Sequence, residues 1–146
     1  MTLTPPRATW IVDRPDATQS INYGGLVALA ERYFAAVDDN DLDTIVDSFA
    51  PDATFTIQSA HSSHQGHDAI RKMFEEYFAD YSHIRHIHFR HIVDVETQSI
   101  ASQFRSEQYG PDGKEMFMTS SNFFYVENGR FTRVFVYMSD GNNVLG

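Results

Sequence analysis

Cysteine is absent from this chain, so it has no disulfide, no thiolate nucleophile and no thiolate metal ligand, and its redox compartment is left open. Basic residues are scarce. Eleven Lys and Arg stand against 20 Asp and Glu, a formal charge of -9, and the few cations are dispersed. Nucleic acid and anionic membranes both need a basic face, so neither is expected as a partner. No apolar run is long enough to cross a bilayer, and the first residues lack the cationic end and continuous apolar segment of a signal peptide. The expectation is a cytoplasmic protein. Internal repeats and low-complexity tracts are also missing. What is present is 42% hydrophobic and 14% aromatic content in 146 residues, ample for one core.

Residues 1–25, with their prolines, a Gly24-Gly25 junction and little periodicity, read as an arm added to a single domain at 26–146. Trp10, Ile11 and Val12 are too apolar for a free tail, so they are expected against the domain or a neighbouring subunit. Leu26, Leu29, Ala30, Tyr33, Phe34 and Val37 have helical spacing. Asp41 then offers a carboxylate to cap a short second helix bearing Leu42, Ile45, Val46 and Phe49, which Pro51 and Asp52 stop. Ala53, Phe55 and Ile57 alternate with Thr54, Thr56 and Gln58 as a strand, and Gly66-His67-Asp68 opens a third helix, AIRKMFEEYF. The remainder is a meander of strands at 84–96, 99–109, 114–126 and 130–139. Asp112-Gly113 and Asn128-Gly129 supply turn residues that accept positive φ.

Three motifs, RYFAAVDDNDLDTIVDSFAPDATF, GHDAIRKMF and NFFYVENGRFTRVFVYMSD, resemble the nuclear transport factor 2-like superfamily, in its ketosteroid isomerase and SnoaL-like polyketide cyclase branch. The resemblance covers the chain from about Leu26 onward. It implies a cone-shaped α+β fold, with three N-terminal helices against a strongly curved, mainly antiparallel sheet. It does not fix the reaction, because the superfamily includes isomerases, cyclases, dehydratases, epoxide hydrolases and proteins that only bind.

In the last strand Thr132, Val134, Val136 and Met138 share one face, and Phe131, Phe135 and Tyr137 share the other with Arg133. Phe117, Phe123 and Tyr125 likewise oppose Met116, Met118 and Phe124. Neither face of the sheet is then simply solvated. The convex face is expected to pair in a homodimer, the alternative being cover by the N-terminal arm.

For chemistry, the resemblance singles out Tyr33, which matches the tyrosine that donates to the substrate oxyanion in ketosteroid isomerases. A phenol can do this because it stays protonated at neutral pH. The isomerase's general base falls on Ile57, which cannot move a proton, and its second oxyanion donor falls on Ser121. Steroid isomerisation by the familiar residues is therefore not expected. The epoxide-hydrolase signature is at best half present as Arg105 and Glu107, and its acidic final-strand position is Val136. A replacement base is offered by the strand SHIRHIHFRHIVDV, where His86, His88 and Arg90 share a face. The pair His88-Phe89 also looks like the His-Phe pair of fungal scytalone dehydratases. One β-bulge there would reverse which side chains look inward. Gln103, Arg105 and Glu107 share the face that the resemblance turns toward the cavity, where the charges must pair. Ser121 and Asn122 alternate, so only one points inward. His61, His64 and His67 are evenly spaced but sit in a polar loop, and no metal or cofactor is expected.

The reading is a cofactor-independent lyase, cyclase or isomerase acting on a hydrophobic, oxygenated carbonyl compound of polyketide, terpenoid or aromatic type. Tyr33 polarises the carbonyl, and His88 with His86 moves the proton. The alternative is a ligand-binding or dimerisation module without turnover. A closed, wet pocket in which Tyr33 and a histidine converge marks the first, and a pocket filled by Phe55, Phe123 and Met138 marks the second.

Overall fold

The computed structural model describes residues 20–139. Most of the expected arm, including Trp10, Ile11 and Val12, lies outside the described residues. Helix α1 (Tyr23–Asp38) starts where the Asn22 side chain accepts the Gly25 N–H at 2.8 Å. Leu26, Ala30, Tyr33, Phe34 and Val37 recur on one face, and all five are buried. Asn40 turns the chain with φ of 54°, a left-handed conformation to which asparagine is suited. The expected cap of α2 (Leu42–Asp47) forms as well: Asp41 accepts the Thr44 N–H at 3.2 Å and its hydroxyl at 2.6 Å.

One boundary differs from the sequence reading. Phe49 begins strand β1 (Phe49–Ile57) instead of finishing α2, and Pro51 and Asp52 lie within that strand. The Ser48 carbonyl accepts the Phe131 N–H at 2.9 Å, drawing the chain directly onto the last strand. Proline is tolerated because the β1 pairing is irregular between Phe49 and Thr54. The polar histidine loop contains strand β2 (Ser62–Gln65), which pairs antiparallel with β1. Helix α3 (His67–Asp80) then buries Ile70 and Phe74.

Strands β3 (His83–Asp94), β4 (Ser99–Tyr109), β5 (Glu115–Glu127) and β6 (Arg130–Met138) form the meander. The sheet order is β2-β1-β6-β5-β4-β3, antiparallel except for the parallel pair β1 and β6. Asn128 and Gly129 both take positive φ at the β5–β6 turn, as a two-residue hairpin requires. Three helices against a curved, mostly antiparallel sheet are the α+β architecture that the resemblance implies.

Two bulges decide which residues look inward. In β3 the pairing slips between Ile87 and Arg90, and His88 takes up the extra residue with φ of 59°. Before it His86 sits opposite Ser106; after it His91 sits opposite Ser102, and both serines belong to the buried face of β4. A second slip between Tyr125 and Val126 places Phe131 in the core at 0% exposure, not on the convex face where simple alternation puts it. Phe123, Tyr125, Phe135 and Tyr137 do line the convex face, with Phe123 and Tyr137 exposed.

Candidate active site

The concave face of the sheet and the inner faces of α1 and α3 enclose a cavity of about 370 Å³. Most of its wall is apolar and includes Phe55, Ile57, Val136 and Met138. Tyr33 and His86 are also in the wall.

Tyr33 is seated by packing. Phe34, Phe49, Phe74, Phe124 and Phe131 meet its ring edge-on with centroids 5.1–6.3 Å away. Burial, reinforced by Tyr77 and Asp38, pushes its phenol well above the usual tyrosine range. It is therefore a neutral hydrogen-bond donor at any working pH and cannot serve as a base. Tyr77 on α3 behaves the same way: burial raises it most, against the opposing effect of a hydrogen bond with Ser106, and Tyr81 and Asp38 raise it further. The Ser106 hydroxyl also accepts from Gln108 Nε2 at 3.1 Å, so a short polar chain crosses the wall beside His86.

His86 is held by Asp38 at the end of α1. The carboxylate accepts the His86 backbone N–H at 3.0 Å through Oδ2 and Nδ1–H at 2.5 Å through Oδ1. A carboxylate oxygen accepts, so the ring proton on this side sits on Nδ1, and whenever the imidazole is neutral Nε2 has its lone pair free. Phe34 and Phe104 hold the ring from their sides, each with centroids 5.2 Å away. The imidazole is 9% exposed and the carboxylate 26%, so the ring is shielded while its partner keeps contact with solvent.

Several sequence expectations are corrected. His88 occupies the bulge and is exposed, and it does not join His86 in the cavity wall. Gln103, Arg105 and Glu107 face the convex side. Their alternation partners Ser102, Phe104, Ser106 and Gln108 fill the buried side, where uncharged groups cost less than ions. Arg105 and Glu107 do pair, Nε donating to Oε2 at 3.2 Å, with the guanidinium above the Phe117 ring and Arg85 3.8 Å from the same carboxylate. Ser121 and Phe123 also lie on the convex side, and Asn122 is the inward member of its pair. His61, His64 and His67 do not converge: His67 Nε2–H donates to the Phe49 carbonyl at 2.8 Å, and His64 pairs with Phe55 across the β1–β2 ladder. Among the described residues no group of three His, Asp or Glu is placed to hold a metal ion.

Sequence reasoning missed Asp38, Tyr77 and Ser106, and it left open which of Ser121 and Asn122 points inward. Asp38 had a signal: a carboxylate in the last turn of a helix opposes the helix dipole, and such a residue calls for a partner elsewhere. The others had none, because a polar residue on an alternating strand does not declare its side when a bulge can reset the count.

With this geometry in place, the sequence matches the SnoaL-like domain family over residues 30–134. The chain belongs to that family. No curated protein sequence matches this SnoaL-like chain. Solved structures do. A Bacillus subtilis protein named as a candidate isomerase superposes with TM-score 0.73 at 13% identity, covering 82% of this chain and 90% of its own. A candidate polyketide cyclase from Xanthomonas campestris pv. campestris gives 0.73 at 18% identity, with 80% and 92% covered. A candidate aromatic ring hydroxylase from Novosphingobium aromaticivorans gives 0.69 at 27% identity, with 81% and 91% covered. These likenesses establish the NTF2-like fold of the SnoaL-like domain. No helix among its described residues is long and apolar enough to cross a membrane.

Proposed function

We propose that this SnoaL-like protein is a cofactor-independent enzyme that removes a proton from the carbon beside a carbonyl group of a hydrophobic, oxygenated cyclic compound. The observation that carries the reading is the His86–Asp38 pair in the wall of an otherwise apolar cavity. Nε2 of His86 takes the α-proton, and Asp38 stabilises the imidazolium that forms. The electron pair moves onto the carbonyl oxygen, where the neutral phenols of Tyr33 and Tyr77 are the available donors. The enolate then has three ordinary fates. It takes the proton back at another carbon as an isomerase, attacks a second carbonyl as a cyclase, or expels a β-hydroxyl as a lyase.

The test reads the step common to all three. The probe is 1-tetralone, a bicyclic ketone, incubated with the protein in D₂O while NMR follows loss of its α-proton signal. Exchange accelerated by the protein and abolished in His86→Ala is the expected result. Exchange equal to buffer with the probe bound overturns it in favour of binding without turnover, a reading supported by Ile57 standing in the wall where the resembled isomerases carry their base.

A further inference from the structure

Among the described residues two buried side-chain polar atoms have no hydrogen-bond partner, His91 Nε2 and Asn122 Oδ1. The first has a carboxylate in reach, Glu31 Oε1 at 3.6 Å, and His91 is not in the cavity wall. The second has no such answer. Asn122 is 3% exposed and lines the cavity. Its cross-strand neighbours are Ser102 on β4 and Val136 on β6. The Ser102 hydroxyl is engaged with His91 Nδ1 at 2.8 Å, and Val136 has nothing to donate. A buried amide oxygen without a donor is a net cost that valine or leucine would avoid at the same place. Its orientation into an open cavity makes a ligand the natural source of the missing proton.

We infer that Asn122 Oδ1 accepts a hydrogen bond from a hydroxyl group of the bound molecule, so that the preferred ligands are hydroxylated cyclic ketones over bare ones. The inference rests on the proposed function only for the carbonyl at the other end. Along β5, Met118 stands opposite Ser106, hence level with His86, and Asn122 lies four residues further on. That is a displacement of about 13 Å along the strand. The two polar positions thus stand apart along the cavity, one for proton transfer and one for recognising a hydroxyl, with mostly apolar wall between them. Ser120, also in the wall and facing the same way, adds a hydroxyl near the recognition end.

The experiment compares binding of 1-tetralone and 6-hydroxy-1-tetralone to the full chain by calorimetry, which needs no turnover. The expected result is hydroxyl-bearing ketone bound roughly tenfold tighter by the wild type. Asn122→Leu, close to isosteric, is expected to bring that ratio to about one while retaining the bare ketone. Asn122→Ala is expected to do the same, which guards against a packing artefact of the larger side chain. His86→Ala is expected to leave the ratio intact. Equal affinities in the wild type, no binding of the hydroxyl-bearing ketone, or a ratio that survives both Asn122 substitutions would overturn the assignment. A preserved ratio with no proton exchange removes the catalytic reading alone, and intact exchange without the preference removes the Asn122 site alone.

Discussion

Asp38 grips His86 by two atoms, backbone N–H and ring Nδ1–H, at 3.0 and 2.5 Å. The double contact fixes both the strand that carries the histidine and the rotation of its ring. Asp38→Asn can keep an acceptor for one of these groups but loses the charge that stabilises an imidazolium. The α-proton exchange of 1-tetralone is therefore expected to fall by roughly 10²-fold or more in this variant. The melting temperature should change little. An exchange rate unchanged by Asp38→Asn would show that His86 does not act through this carboxylate.

Tyr33 and Tyr77 link the cavity to alkaline stability. Both phenols have folded-state pKa values raised above the ordinary tyrosine value of about 10. Below that value both states of the chain hold the protons, and the contribution is fully present. As pH rises beyond about 10, the unfolded chain releases protons that the folded chain retains, so stability falls. Tyr33→Phe is expected to flatten the loss of melting temperature between roughly pH 9 and 11. In the wild type, tyrosinate absorbance from the buried pair should appear with unfolding and not ahead of it.

Asp41 gives the opposite sign at the other end of the scale. Its hydrogen bonds from the Thr44 side chain and backbone lower its carboxyl below the ordinary aspartate value. Its contribution is present above the unfolded value and is lost as pH falls through the folded one. The difference in melting temperature between wild type and Asp41→Ala should therefore be largest near neutrality and shrink in acid. A difference constant with pH would assign the cap no electrostatic part.

On the convex face, we propose a second copy as the occupant of the groove formed by Ser121, Phe123, Tyr125, Phe135 and Tyr137. The groove carries no carboxylate, which on a chain of net charge -9 removes the repulsion two copies would otherwise meet there. Sedimentation velocity is expected to give a dimer for the wild type and a monomer for Phe123→Glu. A monomeric wild type at micromolar concentration would rule the contact out.

Local chemistry was the legible part of the sequence. Asn128-Gly129 and the Asp41 cap each depend on residues within a few positions, and each formed as expected. The meander strands were bounded within about two residues for the same reason. Phe49 was misassigned because an apolar residue after a short helix fits either element, and the contact that decides it, from Phe131 to Ser48, spans most of the chain. The site was half legible. Tyr33, His86, Ile57 and Val136 were located, but Arg105 and Glu107 were read on the inner face, the choice between Ser121 and Asn122 waited for the register, and Asp38 became visible only once helix and strands were set side by side.

The bulge at His88 makes that residue an extra position that the neighbouring strand does not match. Its left-handed backbone is one that glycine adopts freely, so His88→Gly should be neutral or stabilising by up to about 1 kcal/mol. Deleting the residue would leave Ile87 and Arg90 two positions apart, as their partners Arg105 and Gln103 are, so the ladder can close without a bulge while His86, His91 and Val93 keep the same side. The loss of position 88 should therefore be accepted, whereas one further residue added there would turn His91 and Val93 outward. An insertion and deletion map across 84–94 would show a position that tolerates a gap but not an addition.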